Sequence, residues 1–423
     1  MSRLIFHVDV NSAFLSWEAA KRVSEGLDDL RLVPSVIGGD PEKRTGIVLA
    51  KSIPAKKYGI QTGEPMASAL RKCPGLISAK PDFELYEKSS RAFKGICSSY
   101  APVMESFSID EVFLDMTGTD YIYSDPIKTA NEMREKIKNN LGFTVNIGIG
   151  PNKLLAKMAS DFEKPDKVHT LFADEIAEKM WPLPVGDLLF LGRASANKLE
   201  GCGIKTIGQL AALSENEAKN ILGESAGRML WNYANGNDNS PVKAGRDEAK
   251  GYSAESTFEE DIISFEQADA IMLSQTDVIS ARMRRDGKKC RCITVTLRDT
   301  EFKTKSHQCT ISSPTDITEE IYKYAKKLFR ETWKGQPLRL LGVGISDLTA
   351  DDYAQLSLFA AEENHEKQQK KDRAVDALRA KYGTDIISRG STMDVSDKVS
   401  RKARAVLDGQ TKDYQYKGTE QSC

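Results

Sequence analysis

Apolar residues run from Leu4 to Phe6 and return at Val8 and Val10, a pattern that predicts a buried strand over residues 4–10. From Ser12 to Glu25 the positions Phe14, Trp17 and Ala20 recur at helical spacing, and Gly26 ends the run. Residues 33–37 and 46–50 read as short strands on either side of the turn Gly38-Gly39-Asp40-Pro41, and residues 60–73 as a loop with a short helix. A helix over 85–100 leads to a second apolar strand around Ile109 to Leu114. A helix over 131–140, a strand over 143–148 and a helix over 152–161 complete an α+β layout around one sheet.

Between 166 and 235 the pattern is wholly helical, punctuated by Gly192, Gly201, Gly203, Gly208 and Gly227. A polar stretch, Asn235-Gly236-Asn237-Asp238-Asn239-Ser240-Pro241 onward to Lys250, has the composition of a linker. Beyond it, strands at 256–259, 291–297, 306–311 and 339–345 alternate with helices at 265–286 and 317–333, a second α+β domain. After Leu348 comes a charged tail, expected to hold one or two helices and little core. The fold class is therefore α+β and multidomain, in keeping with a length of 423 residues.

The N-terminus has no secretory pattern, and no apolar stretch is long enough to span a bilayer, so a cytoplasmic protein with no membrane partner is expected. Seven cysteines form no C-x-x-C pair, and Cys290 and Cys292 would point to opposite faces of a strand, which favours reduced thiols over zinc or disulfides. The net charge of −1 hides a local excess: from Arg282 to Lys305 there are nine Lys/Arg against three acids. That density reads as a basic patch suited to nucleic acid.

Two acidic sites interrupt apolar, strand-forming residues: Asp9 in Leu4 to Asn11, and Asp110-Glu111 in Ser108 to Asp115. Burying an unpaired carboxylate costs several kcal/mol, so acids inside two strands point to a cation. One sheet carrying all three would form an oxygen-rich pocket for a pair of Mg²⁺ ions, the arrangement of phosphoryl or nucleotidyl transfer. Acids that merely cap strand ends are the plainer alternative. The chain enters a helix directly after Asp9, so backbone N–H groups of Asn11, Ser12, Ala13 and Phe14 could meet triphosphate oxygens. Phe14 is placed to press on a sugar, or simply to pack. Lys153, Lys157 and Lys164, and the cluster Lys51, Lys56 and Lys57, could balance phosphate charge or lie solvated on helix surfaces.

Leu191 to Leu199 followed by Gly201 to Leu210 reads as two glycine turns that each open a helix, either a helix-hairpin-helix of the kind that offers N–H groups to DNA phosphates or a plain helical turn with glycine caps. Gly38-Gly39-Asp40 is followed by Pro41-Glu42 and reads as a simple turn. In the polar tail, Gln355-Leu356-Ser357-Leu358-Phe359 places apolar residues where they could dock in a partner's groove or pack locally.

Together these residues resemble the Y-family DNA polymerases, which copy past damaged template bases, over Leu4 to Leu348. The resemblance implies a right-hand polymerase: palm 1–30 and 75–165, fingers 31–74, helix-hairpin-helix thumb 166–235, linker 236–250, α+β little finger 251–348, and a tail 349–423 with a sliding-clamp-binding peptide at 355–359. It implies that Asp9, Asp110 and Glu111 are catalytic and, with the Val10 carbonyl, hold two Mg²⁺ ions. Phe14 falls at the steric gate that excludes the ribose 2′-OH, Lys164 matches a triphosphate-binding lysine, and Asn11, Ser12, Ala13 and Lys56 join the substrate site. Primer-template DNA, dNTP and the clamp are the implied partners of a monomer. Within the family, the little finger looks most like that of DNA polymerase IV, while Asp9-Val10-Asn11-Ser12, the segment Ala50 to Lys56 and the long tail resemble the catalytic subunit of DNA polymerase V. Ile53 and Lys56 stand where polymerase IV relatives carry a Tyr and an Arg, which removes a hydroxyl and a bidentate fork from the triphosphate grip. A palm-fold nucleotidyl cyclase would use similar acids but needs neither the helical module nor a basic second domain. A catalytically dead DNA-binding protein would have lost the acids.

Overall fold

Six consecutive residues, Ile5–Val10, are buried along their whole length because strand β1 is the middle of a five-stranded sheet. The computed structural model describes residues 3–40, 46–245, 248–350, 362–384 and 386–392. The chain divides into two units, one of Met1–Gly39 with Ile47–Asp247 and one that holds Glu248 onward.

In the first unit, β1 leads into helix α1 (Ala13–Ser24), strands β2 (Ser35–Gly38) and β3 (Val48–Lys51), helices α2 (Ile53–Lys56) and α3 (Met66–Lys72), and strand β4 (Ile77–Ala79). Helix α4 (Phe83–Ser98), strands β5 (Val103–Ser106) and β6 (Glu111–Asp115), helix α5 (Pro126–Leu141), strand β7 (Val145–Gly150), helix α6 (Lys153–Asp161) and strand β8 (Val168–Thr170) follow. The main sheet has the order β5-β6-β1-β7-β8, and β3-β2-β4 form a small second sheet. β1 runs antiparallel to both neighbours, with Asp9 opposite Glu111 on one side and Asn146 on the other. Helix α5 starts five residues before the expected position: Pro126 takes its first turn, and the Asp125 carboxylate accepts from the N–H groups of Ile127 at 2.9 Å and Lys128 at 3.0 Å.

Two glycines let α6 lie directly on the sheet. A Cβ at Gly148 would sit 1.9 Å from the Ala156 carbonyl oxygen, and one at Gly150 would sit 2.9 Å from the Ala156 nitrogen. Side chains at either position would lift α6 and everything it carries.

Helices α7 (Arg193–Gly201), α8 (Ile207–Ala211), α9 (Glu215–Leu222) and α10 (Glu224–Ala234) close the unit. Between α7 and α8 the chain turns through Gly203 at φ 85°, and Thr206 with Gln209 forms a capping box that starts α8. Leu199, Ile207, Leu210 and Leu230 give this module its own core.

The second unit is built from β9 (Gly251–Ile262), α11 (Phe265–Arg285), β10 (Lys288–Asp299), β11 (Thr304–Thr315), α12 (Thr318–Thr332) and β12 (Leu338–Ala350). Its antiparallel sheet, β11-β10-β12-β9, has a core of Val295, Leu297, Leu341 and Val343 packed with Met272, Ile279, Ala325 and Phe329 from the two helices. The tail contributes more than expected. Helix α13 (Glu362–Tyr382) places Asp372 and Asp376 on Arg284 of α11, and Arg379 on Asp277 at 2.7 Å. The peptide Gln355–Phe359 lies outside the described residues.

Candidate active site

Cross-strand partners share a face of a sheet. The register therefore puts the carboxylates of Asp9 on β1 and Glu111 on β6 side by side on the face that α6 covers. Asp110 occupies the bend just before β6. Its carbonyl accepts the Val10 N–H at 3.1 Å, and its Oδ1 accepts from the Ser108 hydroxyl at 2.5 Å. The three acids are close enough that Glu111 and Asp110 both raise the pKa of Asp9.

Lysines from α6 and the turn after it meet two of these acids. Lys164 Nζ donates to Asp9 and lies 2.7 Å from Asp161 Oδ1. Lys157 Nζ lies 3.0 Å from Glu111 Oε1. On the other oxygen of Glu111, His7 Nε2 stands 3.7 Å away, while His7 Nδ1 shares a hydrogen bond with the Ser160 hydroxyl at 2.8 Å. Lys153 has a different post: it pairs with Glu105 at 2.6 Å and lies over the Phe113 ring.

These contacts set the charge states. Burial pushes the Asp9 carboxyl up to about 6, and the opposing pull of Lys164 is partly cancelled by Glu111 and Asp110. Burial works the same way on Glu111, but the nearby His7 ring and the charge of Lys157 outweigh it and take that carboxyl down to about 2. Burial would lower the Lys164 pKa, but Asp9 and Asp161 raise it instead. His7 is pushed down chiefly by its burial, which favours the neutral ring.

Phe14 is half-buried at the start of α1, its ring stacked on Tyr86 of α4 at 4.8 Å and edge-on to Trp17 at 5.9 Å. Ser12 is exposed in the left-handed conformation at φ 48°, and Ala13 is buried as the first residue of α1. The expected role of Asn11 is corrected. Its N–H donates to the Thr144 carbonyl at 3.1 Å and so is not directed at a substrate. Its side chain donates to Asn146 and accepts from Thr144 and from the Asp166 N–H, each at 3.0 Å. Asn11 ties the exit of β1 to its neighbours. Lys56 is exposed on α2, beside the smaller sheet rather than the sheet that carries the acids. Lys51 Nζ donates to the Ile60 carbonyl at 2.7 Å, a bond within its own segment.

Sequence reasoning left Lys157 ambiguous and passed over His7. The signal for His7 was its place two residues before Asp9, hence on the same strand face. Within the basic run from Arg282 to Lys305 some cations already have acidic partners. Arg284 is tied to acids of α13, Lys288 pairs with Glu248 at 2.8 Å, and Lys303 pairs with Glu301 at 2.6 Å.

Among the described residues, no three His, Cys, Asp or Glu side chains stand as a ready metal cage. The reason is visible in the contacts: Asp9 and Glu111 are turned to lysines and Asp110 to Ser108. The donor set nevertheless fits divalent ions, because two ammonium groups already stand as cations against hard carboxylate oxygens.

Comparison with known proteins gives the family. The impB/mucB/samB family matches residues 8–161, its C-terminal domain matches 249–358, and the thumb domain of DNA polymerase-iota matches 187–238. The chain belongs to this family, the Y-family DNA polymerases, and is a DNA-directed DNA polymerase. DNA polymerase IV of Clostridium acetobutylicum is 44% identical over 94% of this chain and 100% of that protein. DNA polymerase IV 1 of Bacillus subtilis is 36% identical over 93% of this chain and 94% of its own length. A solved Y-family DNA polymerase chimera shares the fold with a TM-score of 0.71, at 21% identity over 82% of this chain and 99% of that one. No described helix is long and apolar enough to cross a membrane.

Proposed function

We propose that this polymerase extends a primer by nucleotidyl transfer with Asp9, Asp110, Glu111 and the Val10 carbonyl as the ligands of two Mg²⁺ ions. When bound, the ions would activate the primer 3′-OH and neutralise the departing pyrophosphate. The observation that carries the reading is the register that sets Asp9 against Glu111, with Asp110 at hand, beneath α6. Lys164, held between Asp9 and Asp161, is placed to move its charge onto the incoming triphosphate. Phe14, backed by Tyr86, presents a fixed ring to the sugar. Lys56 reaches the triphosphate from the fingers, and Ser12 and Ala13 border it.

On this reading the first unit holds palm, fingers and thumb, and the second holds the little finger, at the boundaries given above. Gln355–Phe359 binds the sliding clamp, and the protein works as a cytoplasmic monomer. Primer extension with and without clamp tests the assignment. Asp110→Ala should abolish extension while primer-template binding persists, since DNA is held through its phosphates elsewhere. Extension by that variant would overturn the metal assignment. Loss of Gln355–Phe359 should leave distributive synthesis and remove only the stimulation by clamp.

A further inference from the structure

One stripe of helix α4 lies under both halves of the active site. Tyr86, Ser90 and Lys94 follow one another at four-residue spacing, so they stand on a single face of the helix. Tyr86 stacks beneath Phe14. One turn on, the Ser90 hydroxyl donates to the Ile109 carbonyl, and a further turn on, Lys94 Nζ donates to the Ser108 carbonyl at 2.6 Å. These are the two residues that precede Asp110, and Ser108 in turn donates its hydroxyl to Asp110 Oδ1 at 2.5 Å.

Both supporting side chains are deeply buried, Ser90 at 2% and Lys94 at 7% exposure, beside Phe93 and Cys97. A buried ammonium is costly, and methionine or leucine would fill the same space at less cost. What lysine adds is a charged donor for one carbonyl of the bend. Without such donors, residues 107–110 would keep the Phe107 and Ser108 N–H bonds to the Glu111 carbonyl at 3.1 and 3.2 Å, the Val10 bond to Asp110, the Ser108–Asp110 bonds within the bend, and for the Ser108 carbonyl a longer bond from the Ser106 hydroxyl at 3.4 Å.

We propose that Ser90 and Lys94 are positioning residues for Asp110: by holding two successive carbonyls of the bend they fix the direction of its carboxylate toward the divalent ion. The proposal rests on Asp110 being a metal ligand. Its test is a titration of the full chain, bound to a dideoxy-terminated primer-template and dNTP, with Mn²⁺ read by electron paramagnetic resonance. Lys94→Met should weaken Mn²⁺ binding about tenfold, the size of one lost charge-assisted hydrogen bond. Lys94→Arg, which keeps a charged donor, should recover most of that loss. Ser90→Ala should shift it the same way by about threefold, and it decides the matter if Lys94→Met does not fold. With an extendable primer, the insertion rate should fall with little change in the dNTP KM, and discrimination against ribonucleotides, set by Phe14, should stay as in the parent. Mn²⁺ affinity within about twofold of the parent in both Lys94→Met and Ser90→Ala would overturn the proposal. So would equal loss of metal binding and sugar discrimination, which would mean a general loosening of α4, or failure of arginine to improve on methionine. If Asp110→Ala itself leaves Mn²⁺ binding unchanged, the metal reading of the site falls instead.

Discussion

Lys157 Nζ lies 3.0 Å from Glu111 Oε1, so this acid of the proposed metal site carries its own counter-ion. The lysine reaches it because Gly148 lets α6 rest on the sheet. Replacing Lys157 by Met should leave Glu111 to His7 alone and raise its pKa from about 2. Hydrogen bonds to charged groups contribute about 1.5–3 kcal/mol, so single-turnover insertion should slow by about tenfold or more. Lys157→Arg should retain most of the rate. An unchanged rate in the Met variant would show that the pair has no part in catalysis.

Asp9 should make the metal-free fold sensitive to pH. Its carboxyl sits at about 6 in the fold against 3.8 as a free side chain, chiefly because it is buried. A group whose pKa is raised on folding adds stability that is complete below the unfolded value and is lost as pH climbs through the folded one. The loss at neutral pH is on the order of 3 kcal/mol. Asp9→Asn should therefore melt higher than the parent at pH 7 in chelator and should lack the parent's decline between pH 4 and 7. Mg²⁺ should raise the parent's melting temperature more than the variant's. Identical pH profiles would show that Asp9 ionises without cost.

How far the sequence could be read depended on where each partner lies. Strand β1 and helix α1 were legible because an unbroken apolar run and a helical stripe are local signals. The acids were legible because charge inside an apolar strand is conspicuous. The short strands β4, β5 and β8, of three or four residues, have no alternation to betray them. The partners of Glu111 were hidden for another reason: Lys157 meets it only through the packing of α6 on the sheet, and His7 only through the pairing of β1 with β6. Arg284 was misread as part of a basic patch because Asp372, which lies 88 residues further on, belongs to a helix that is polar nearly all round.

Phe14 should govern sugar choice through a ring held in place by its neighbours. With Tyr86 stacked behind it and Trp17 at its edge, the ring has little room to withdraw from a 2′-OH. Phe14→Ala should raise ribonucleotide use relative to deoxyribonucleotide by about tenfold to a hundredfold, with less effect on deoxyribonucleotide insertion. Competing insertion of the paired nucleotides measures this directly. Discrimination equal to the parent's would assign Phe14 to packing alone.

Arg284 should be the latch of the tail helix. Its side chain is 7% exposed, Nε lies 2.7 Å from Asp376 Oδ2, and one guanidinium nitrogen donates to the Asp316 carbonyl at 2.7 Å. Asp372 Oδ2 also accepts the Thr318 N–H at 2.9 Å, so the tail caps the start of α12. Removing the cation would strand two acids, one of them only 6% exposed, and breaking such a buried pair costs about 3–5 kcal/mol. Arg284→Met should therefore release α13, seen as rapid proteolysis within 362–392 and a lower melting temperature of the second unit. Adding Asp372→Asn and Asp376→Asn should restore part of that loss, because the stranded charges are then gone. Deleting Gln355–Phe359 alone should leave protease resistance as it was, since α13 has its own contacts to α11. If Arg284→Met left α13 protected, the charged contacts would be incidental and the few apolar residues of the helix would have to hold it.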